Sequence, residues 1–141
     1  DVSPRLEDTL ALAAVTQCLT RMLWRLSRQN QRWRLYDNML IAENRWRAQR
    51  YGISEGLIDF GTLQIVPFKE LLGELYTLIQ EDAEALGAQS EVLATQRIVN
   101  GGTSSDRQRS TYREARKAGR DHDEAMRAVV SHLIEEFHAD L

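Results

Sequence analysis

A chain of 141 residues, 43% hydrophobic and 28% charged, has the length of about one domain and an ordinary globular composition. Two prolines and eight glycines exclude a fibrous, disordered or many-turned all-β chain, and a formal net charge of −3 excludes a strongly polycationic one. That total hides a split: residues 21–50 carry eight arginines against Asp37 and Glu43, a local +6, while residues 55–91 carry Lys69 against eight carboxylates, a local −7.

The elements read mostly as helices. Ser3 is placed to N-cap a first helix with Pro4 at its first position, where a missing N–H costs nothing. That helix runs to about Arg28, and its apolar positions from Leu10 to Leu26 cover nearly the whole circumference, the pattern of a helix buried all round. With Asp1 in place of an initiating methionine, this leads us to expect a piece of something larger. Gln29 to Arg34 is a polar connection, and a second helix from Tyr36 or Asp37 to Tyr51 ends at Gly52, read as a left-handed C-cap. Leu57-Ile58-Asp59-Phe60 and Leu63-Gln64-Ile65-Val66 flank Gly61-Thr62 as a short two-stranded hairpin.

Pro67 opens a third helix with Leu71, Leu72, Leu75, Leu78 and Ile79 at helical spacing, closed by Gly87. A fourth spans about Ser90–Val99 and is broken by Asn100-Gly101-Gly102. Thr103-Ser104-Ser105-Asp106 offers N-caps for a polar fifth helix through Lys117, ended by Gly119. Asp121 with Glu124 forms a capping box for the last helix, whose expected buried stripe is Met126, Val129, Val130, Leu133, Ile134 and Phe137. The expected fold is thus mainly α, a helical array with one short β-hairpin. Its segments are 1–52 (long buried helix plus Arg-rich helix), 53–67 (hairpin) and 68–141 (helical array).

The strongest local feature is Glu43-Asn44-Arg45-Trp46-Arg47-Ala48-Gln49-Arg50-Tyr51-Gly52. At roughly 100° per residue, Glu43, Arg47 and Arg50 fall within about 60° of each other. Glu43 then stands in the favourable i,i+4 orientation to brace Arg47, and Trp46 borders the face. Two guanidiniums on one ridge suit a planar anion such as a phosphate or carboxylate. A solvated helix face with surface ion pairs explains the same spacing, and 16 of the 18 basic residues being arginine weakens any argument from arginine number. Gly101 to Arg109 is a second candidate, with glycines and hydroxyls at a helix start, but it lacks the lysine and spacing of a phosphate loop.

His132 and His138 face different ways and no Cys/His cluster exists, so no metal ligands are assigned. Cys18 in an apolar helix reads as a structural thiol, and a single cysteine leaves no mark of an oxidising compartment. No run reaches the roughly 18 apolar residues of a membrane span and no signal peptide is visible, so a cytoplasmic location is the default expectation.

With these motifs in hand, the chain resembles the C-terminal third of the type 2 glutamate–cysteine ligases, the carboxylate–amine ligase family. The resemblance rests on Glu43 to Ala48 with Arg50-Tyr51-Gly52, and on three further stretches in order. These are Asp1-Val2 through Glu7-Asp8 (a last catalytic strand passing into a buried helix), Leu57-Ile58-Asp59 with Val66-Pro67, and Gly102-Thr103 with Asp106 to Arg109. The resemblance implies a glutamine-synthetase-like α+β enzyme whose sheet holds ATP and Mg²⁺. Such an enzyme phosphorylates glutamate or a related carboxylate, and an amine then attacks the acyl phosphate. It implies that the metal carboxylates lie outside this chain, which by itself should be inactive and bind no cofactor.

On this reading Arg47 and Arg50 are the catalytic candidates, Asn44 and Arg107 the substrate- or phosphate-binding ones, and Glu43 and Trp46 supports. Implied partners are the carboxylate and amine substrates, an N-terminal catalytic portion and, as an open option, a second copy in a homodimer. A membrane is not among them, and the acidic half of the chain opposes nucleic acid. The alternative, from a different class, is a non-catalytic helical interaction module whose basic ridge binds an acidic partner or nucleic acid.

Overall fold

The computed structural model describes residues 3–139, and its elements follow one another as helix α1 (Leu6–Arg28), α2 (Asn38–Tyr51), strands β1 (Leu57–Ile58) and β2 (Ile65–Val66), then α3 (Phe68–Leu86), α4 (Gln89–Gly101), α5 (Ser104–Lys117) and α6 (His122–His138). The mainly helical array with one hairpin is therefore the fold. Asp1 and Val2, which the resemblance includes in a strand-to-helix passage, lie outside the described residues, as do the last two positions of the 68–141 segment. Among the described residues no helix is long and apolar enough to cross a membrane.

Packing gathers the elements into two units, one formed by residues 14–92 and the other by residues 1–13 with 93–141. The segments 1–52, 53–67 and 68–141 thus describe chain order, whereas one of the units, residues 1–13 with 93–141, draws on both ends of the chain.

The 14–92 unit holds the apolar cluster. Ala14, Cys18 and Met22 of α1 meet Ile79 and Ala83 of α3 and Val92 of α4, with Leu19, Leu26, Leu75 and Tyr76 packed around them. The spacing i, i+4, i+8 along α1 is one stripe, not a circumference. Leu23 and Trp24 are exposed, so α1 is not apolar-buried all round within this chain. Within the cluster sits a carboxylate with no exposure: Asp82 of α3 takes bonds from Arg21 Nη1 (2.5 Å) and Arg25 Nη2 (2.9 Å), an i,i+4 pair on α1. The Arg25 hydrogen bond, ahead of the opposing effect of burial, holds the Asp82 carboxyl below the usual carboxylate range. Burial pushes the Cys18 thiol up, as expected of a structural cysteine.

The hairpin is antiparallel, with Leu57 opposite Val66 and Ile58 opposite Ile65. Its strands are shorter than the sequence suggests because Asp59 begins the turn, accepting from the Gly61 N–H (2.8 Å) and the Thr62 hydroxyl (2.8 Å). Gly56, at φ 70° and buried, admits no other residue, since a Cβ there would lie 2.4 Å from the Val66 carbonyl oxygen. Pro67 precedes α3, and Gly87 closes it in the left-handed conformation. Gly52 does follow α2 at positive φ, but its ψ of −122° takes it out of the left-handed helical region.

The other unit contains few large buried apolar side chains. Ala11, Ala115, Ala125 and Val129 are its buried hydrophobics, and the expected stripe of α6 is only partly realised. Val129 is buried, while Met126, Val130, Ile134 and Phe137 are about half exposed. Both capping boxes form, Thr103 with Asp106 and Asp121 with Glu124. At the chain start the helix begins at Leu6, and Ser3 does not cap it. Its hydroxyl instead donates to Asp8 Oδ2 (3.2 Å). Helix α4 continues through Asn100 and Gly101, and Gly102, at φ 83°, makes the break.

Candidate functional site

Helix α2 carries most of the residues singled out in the sequence. Asp37 caps it, accepting from the Met39 N–H at 2.7 Å. No residue of the helix is buried, so apolar packing within this chain does not hold it. Two of its side chains do so instead. Asn44 Nδ2 donates to the Ile58 carbonyl (2.8 Å) and its Oδ1 accepts from the Ile58 N–H (2.7 Å), so one amide satisfies both backbone groups at the strand β1 edge. Arg47 Nη2 donates to the Glu55 carbonyl (2.9 Å) and Nε to the Gly56 carbonyl (3.2 Å), with its guanidinium 5.8 Å from the Tyr51 ring centroid. Four side-chain hydrogen bonds thereby join helix and hairpin into one platform.

The expected brace from Glu43 does not form, for among the described residues no ion pair joins Glu43 to Arg47. The nearby carbonyls take the Arg47 fork instead. Trp46 stands edge-on to Tyr51, with ring centroids 5.6 Å apart. Arg50 is exposed and has no hydrogen-bond or ion-pair partner among the described residues, and the same holds for Arg45. Hydrogen bonds therefore hold Asn44 and Arg47 to the hairpin, while the Arg50 guanidinium stands exposed without a partner among the described residues.

Arg107 lies in the other unit, in different surroundings. Its side chain is 12% exposed, and the Asp8 and Glu136 side chains that face it are 6% and 4% exposed. Nε donates to Glu136 Oε1 (2.5 Å), Nη1 to the Gly102 carbonyl (2.8 Å) and Nη2 to Asp8 Oδ2 (3.4 Å). Arg5 adds a second cation on Glu136 at 2.8 Å, and His132 Nε2 lies 3.5 Å from the same oxygen. Two acids and two guanidiniums thus join the start of α1 to α5 and α6. At the rim of this unit Arg97 pairs with Glu7.

Both buried networks escaped the sequence reading. One signal for each was available: Asp82 and Glu136 are acids in the apolar register of their helices, at i+3 from Ile79 and i+7 from Val129. The described residues bring together no three His, Cys, Asp or Glu side chains that could hold a metal ion. Among the described residues Asp8 and Glu136, which share Arg107, are already matched by arginines.

A helix pinned to a hairpin by Asn44 and Arg47, with Arg50 unpaired among the described residues, is the candidate site of this mainly helical chain. Comparison with known proteins gives its family: the profile of glutamate–cysteine ligase family 2 matches residues 1–132, and the chain belongs to that family. It is 60% identical over all of its 141 residues to a protein of Jannaschia sp. (strain CCS1), covering 37% of that protein, and 55% identical to one of Ruegeria pomeroyi, covering 36%. A Rhodospirillum rubrum protein is 54% identical over 134 residues, 95% of this chain and 34% of that protein. All three bear the name "Putative glutamate--cysteine ligase 2". The chain spans little more than a third of the length of these relatives, matching their C-terminal part. No solved structure matches it.

Proposed function

We propose that these residues are the C-terminal helical portion of an ATP-dependent carboxylate–amine ligase, glutamate–cysteine ligase-like, acting through an acyl phosphate. In this reading the chain backs a catalytic sheet contributed by polypeptide outside it and presents arginines to the anionic substrate or phosphate. The observation that carries the proposal is the α2 platform: Arg50 is unpaired on a helix whose position is fixed by Asn44 and Arg47. A preorganised cation stabilises charge that develops in a transition state without reorganising at that moment.

Arg50 is the residue that meets the anion directly. Arg47 meets it through Nη1, while its Nε and Nη2 hold the 55–56 carbonyls, and Asn44 fixes the hairpin. Arg107, committed to Asp8 and Glu136, fits a positioning role better than a phosphate contact. In this reading ATP and Mg²⁺ are held by residues beyond this chain, to which Arg50 and Arg47 add positive charge toward the anion.

The test is the turnover of the complete polypeptide carrying Arg50→Ala. A loss of about tenfold or more in kcat, with an unchanged unfolding midpoint, is expected for a lost transition-state cation. Wild-type turnover in that variant removes Arg50 from the site.

A further inference from the structure

Between α1 and α2 the chain crosses residues 31–37 without regular secondary structure. The segment is tied at both ends, by the Gln31 N–H to the Leu26 carbonyl (2.9 Å) and by Tyr36 stacked on Phe60 at 4.8 Å. Between those ties, the backbone groups of Arg32 to Leu35 have no protein partner among the described residues. Two large apolar side chains alternate there with two cations: Arg32, Trp33, Arg34, Leu35. Trp33 is 41% exposed and Leu35 is 96% exposed.

A period of two with open backbone donors and acceptors is what a segment shows when it adds to a sheet edge, where main-chain bonds give affinity and alternate pockets give selectivity. Nearly complete exposure of a leucine, beside a helix with no buried residue, leaves apolar area that water disfavours. The relatives supply an occupant, since about two-thirds of their length lies outside the part this chain matches. An occupant in the same polypeptide binds at a high effective concentration, so a strap of four residues suffices where a separate partner would need a far larger interface.

We propose that residues 32–35 are a docking strap for the rest of the ligase polypeptide. They pair with a sheet edge there, Trp33 and Leu35 enter an apolar pocket, and Arg32 and Arg34 meet carboxylates at its rim. The proposal rests on the ligase reading for the existence of that polypeptide, and on the strap's own exposure and pattern for its place.

Amide hydrogen exchange in the complete polypeptide tests it. Protection by roughly 100-fold or more over a free peptide is expected at the alternate amides within residues 33–35 that face the sheet edge. Leu35→Asp should abolish it while the amides around Ile79 stay protected, and the milder Leu35→Ala, which keeps the fold if the aspartate does not, should reduce it. Unprotected amides at 33–35 overturn the strap. Protection that rises with protein concentration also overturns it, pointing to a second copy of the chain, and so does a reading frame encoding no further polypeptide. Ligase turnover separates the two ideas. Protection without turnover keeps the strap and removes the ligase reading, whereas turnover without protection does the reverse.

Discussion

Replacing Arg107 by alanine should destabilise the unit formed by residues 1–13 and 93–141 by about 3 kcal/mol. Removing one member of a buried pair costs about 3–5 kcal/mol, because its partner is left charged in a poorly solvated place. Here Glu136 keeps Arg5 at 2.8 Å, which lowers the figure. Among the described residues Asp8 retains the Ser3 hydroxyl at 3.2 Å, and the Gly102 carbonyl loses its 2.8 Å donor, so the loss stays at the lower end of that range. This unit has three alanines and one valine as its buried hydrophobics, leaving little apolar packing to compensate. With a urea slope of about 2 kcal/mol/M, the midpoint followed by circular dichroism falls by roughly 1.5 M. Arg107→Lys should recover less than half, since an ammonium cannot span Glu136, Asp8 and the carbonyl at once. A loss below about 1 kcal/mol, the range of exposed ion pairs, would falsify the claim that this network holds the unit together.

Other outcomes follow from the same geometry. Gly56→Ala places a Cβ against the Val66 carbonyl at positive φ, so it should cost at least about 2 kcal/mol in a denaturant titration, and a neutral result would contradict the close approach of Gly56 to Val66. Asn44→Ala should release the Ile58 amide to exchange roughly tenfold faster or more, having removed its acceptor at 2.7 Å; unchanged exchange there would mean the platform is held otherwise. The Asp82 carboxyl is held low chiefly by its Arg25 bond, and Asp106 is held low chiefly by its bond from Thr103. Each such depressed carboxylate contributes stability that is present above about pH 4 and is lost as pH falls from there through the folded-state value. Urea midpoints measured down the acid range should therefore drop below about pH 4. Asp82→Asn should show a shallower drop from a lower starting stability, and an identical acid slope would refute the role of Asp82.

Much of the fold was legible because its signals are local. Asp121 with Glu124, Thr103 with Asp106, and Gly87 after a leucine-rich run each announce a helix end by chemistry that acts within four residues. What the sequence misjudged depends on distant partners. The run of apolar residues in α1 reads as buried all round, yet Ala11, Ala14, Cys18 and Met22 are its buried apolar residues among those described, while Leu23 and Trp24 are exposed. Glu43 looked like the natural partner of Arg47 at helical spacing, but carbonyls eight and nine residues downstream take the guanidinium. Arg21 with Asp82, 61 residues apart, and Arg107 with Glu136, 29 apart, have no local trace beyond an acid in an apolar register. The candidate ridge was visible as a set of residues. Its division into pinned Asn44 and Arg47 and open Arg50 needed coordinates.

The most direct measurement of the central claim is ADP release by the complete polypeptide, supplied with ATP, Mg²⁺, glutamate and a series of amines including cysteine. The ligase account predicts release that depends on the carboxylate and on ATP, matches amide bond formation one for one in the presence of the accepted amine, and falls about tenfold or more in Arg50→Ala. ATP turnover indifferent to the carboxylate, or none at all in a correctly folded protein, would contradict it.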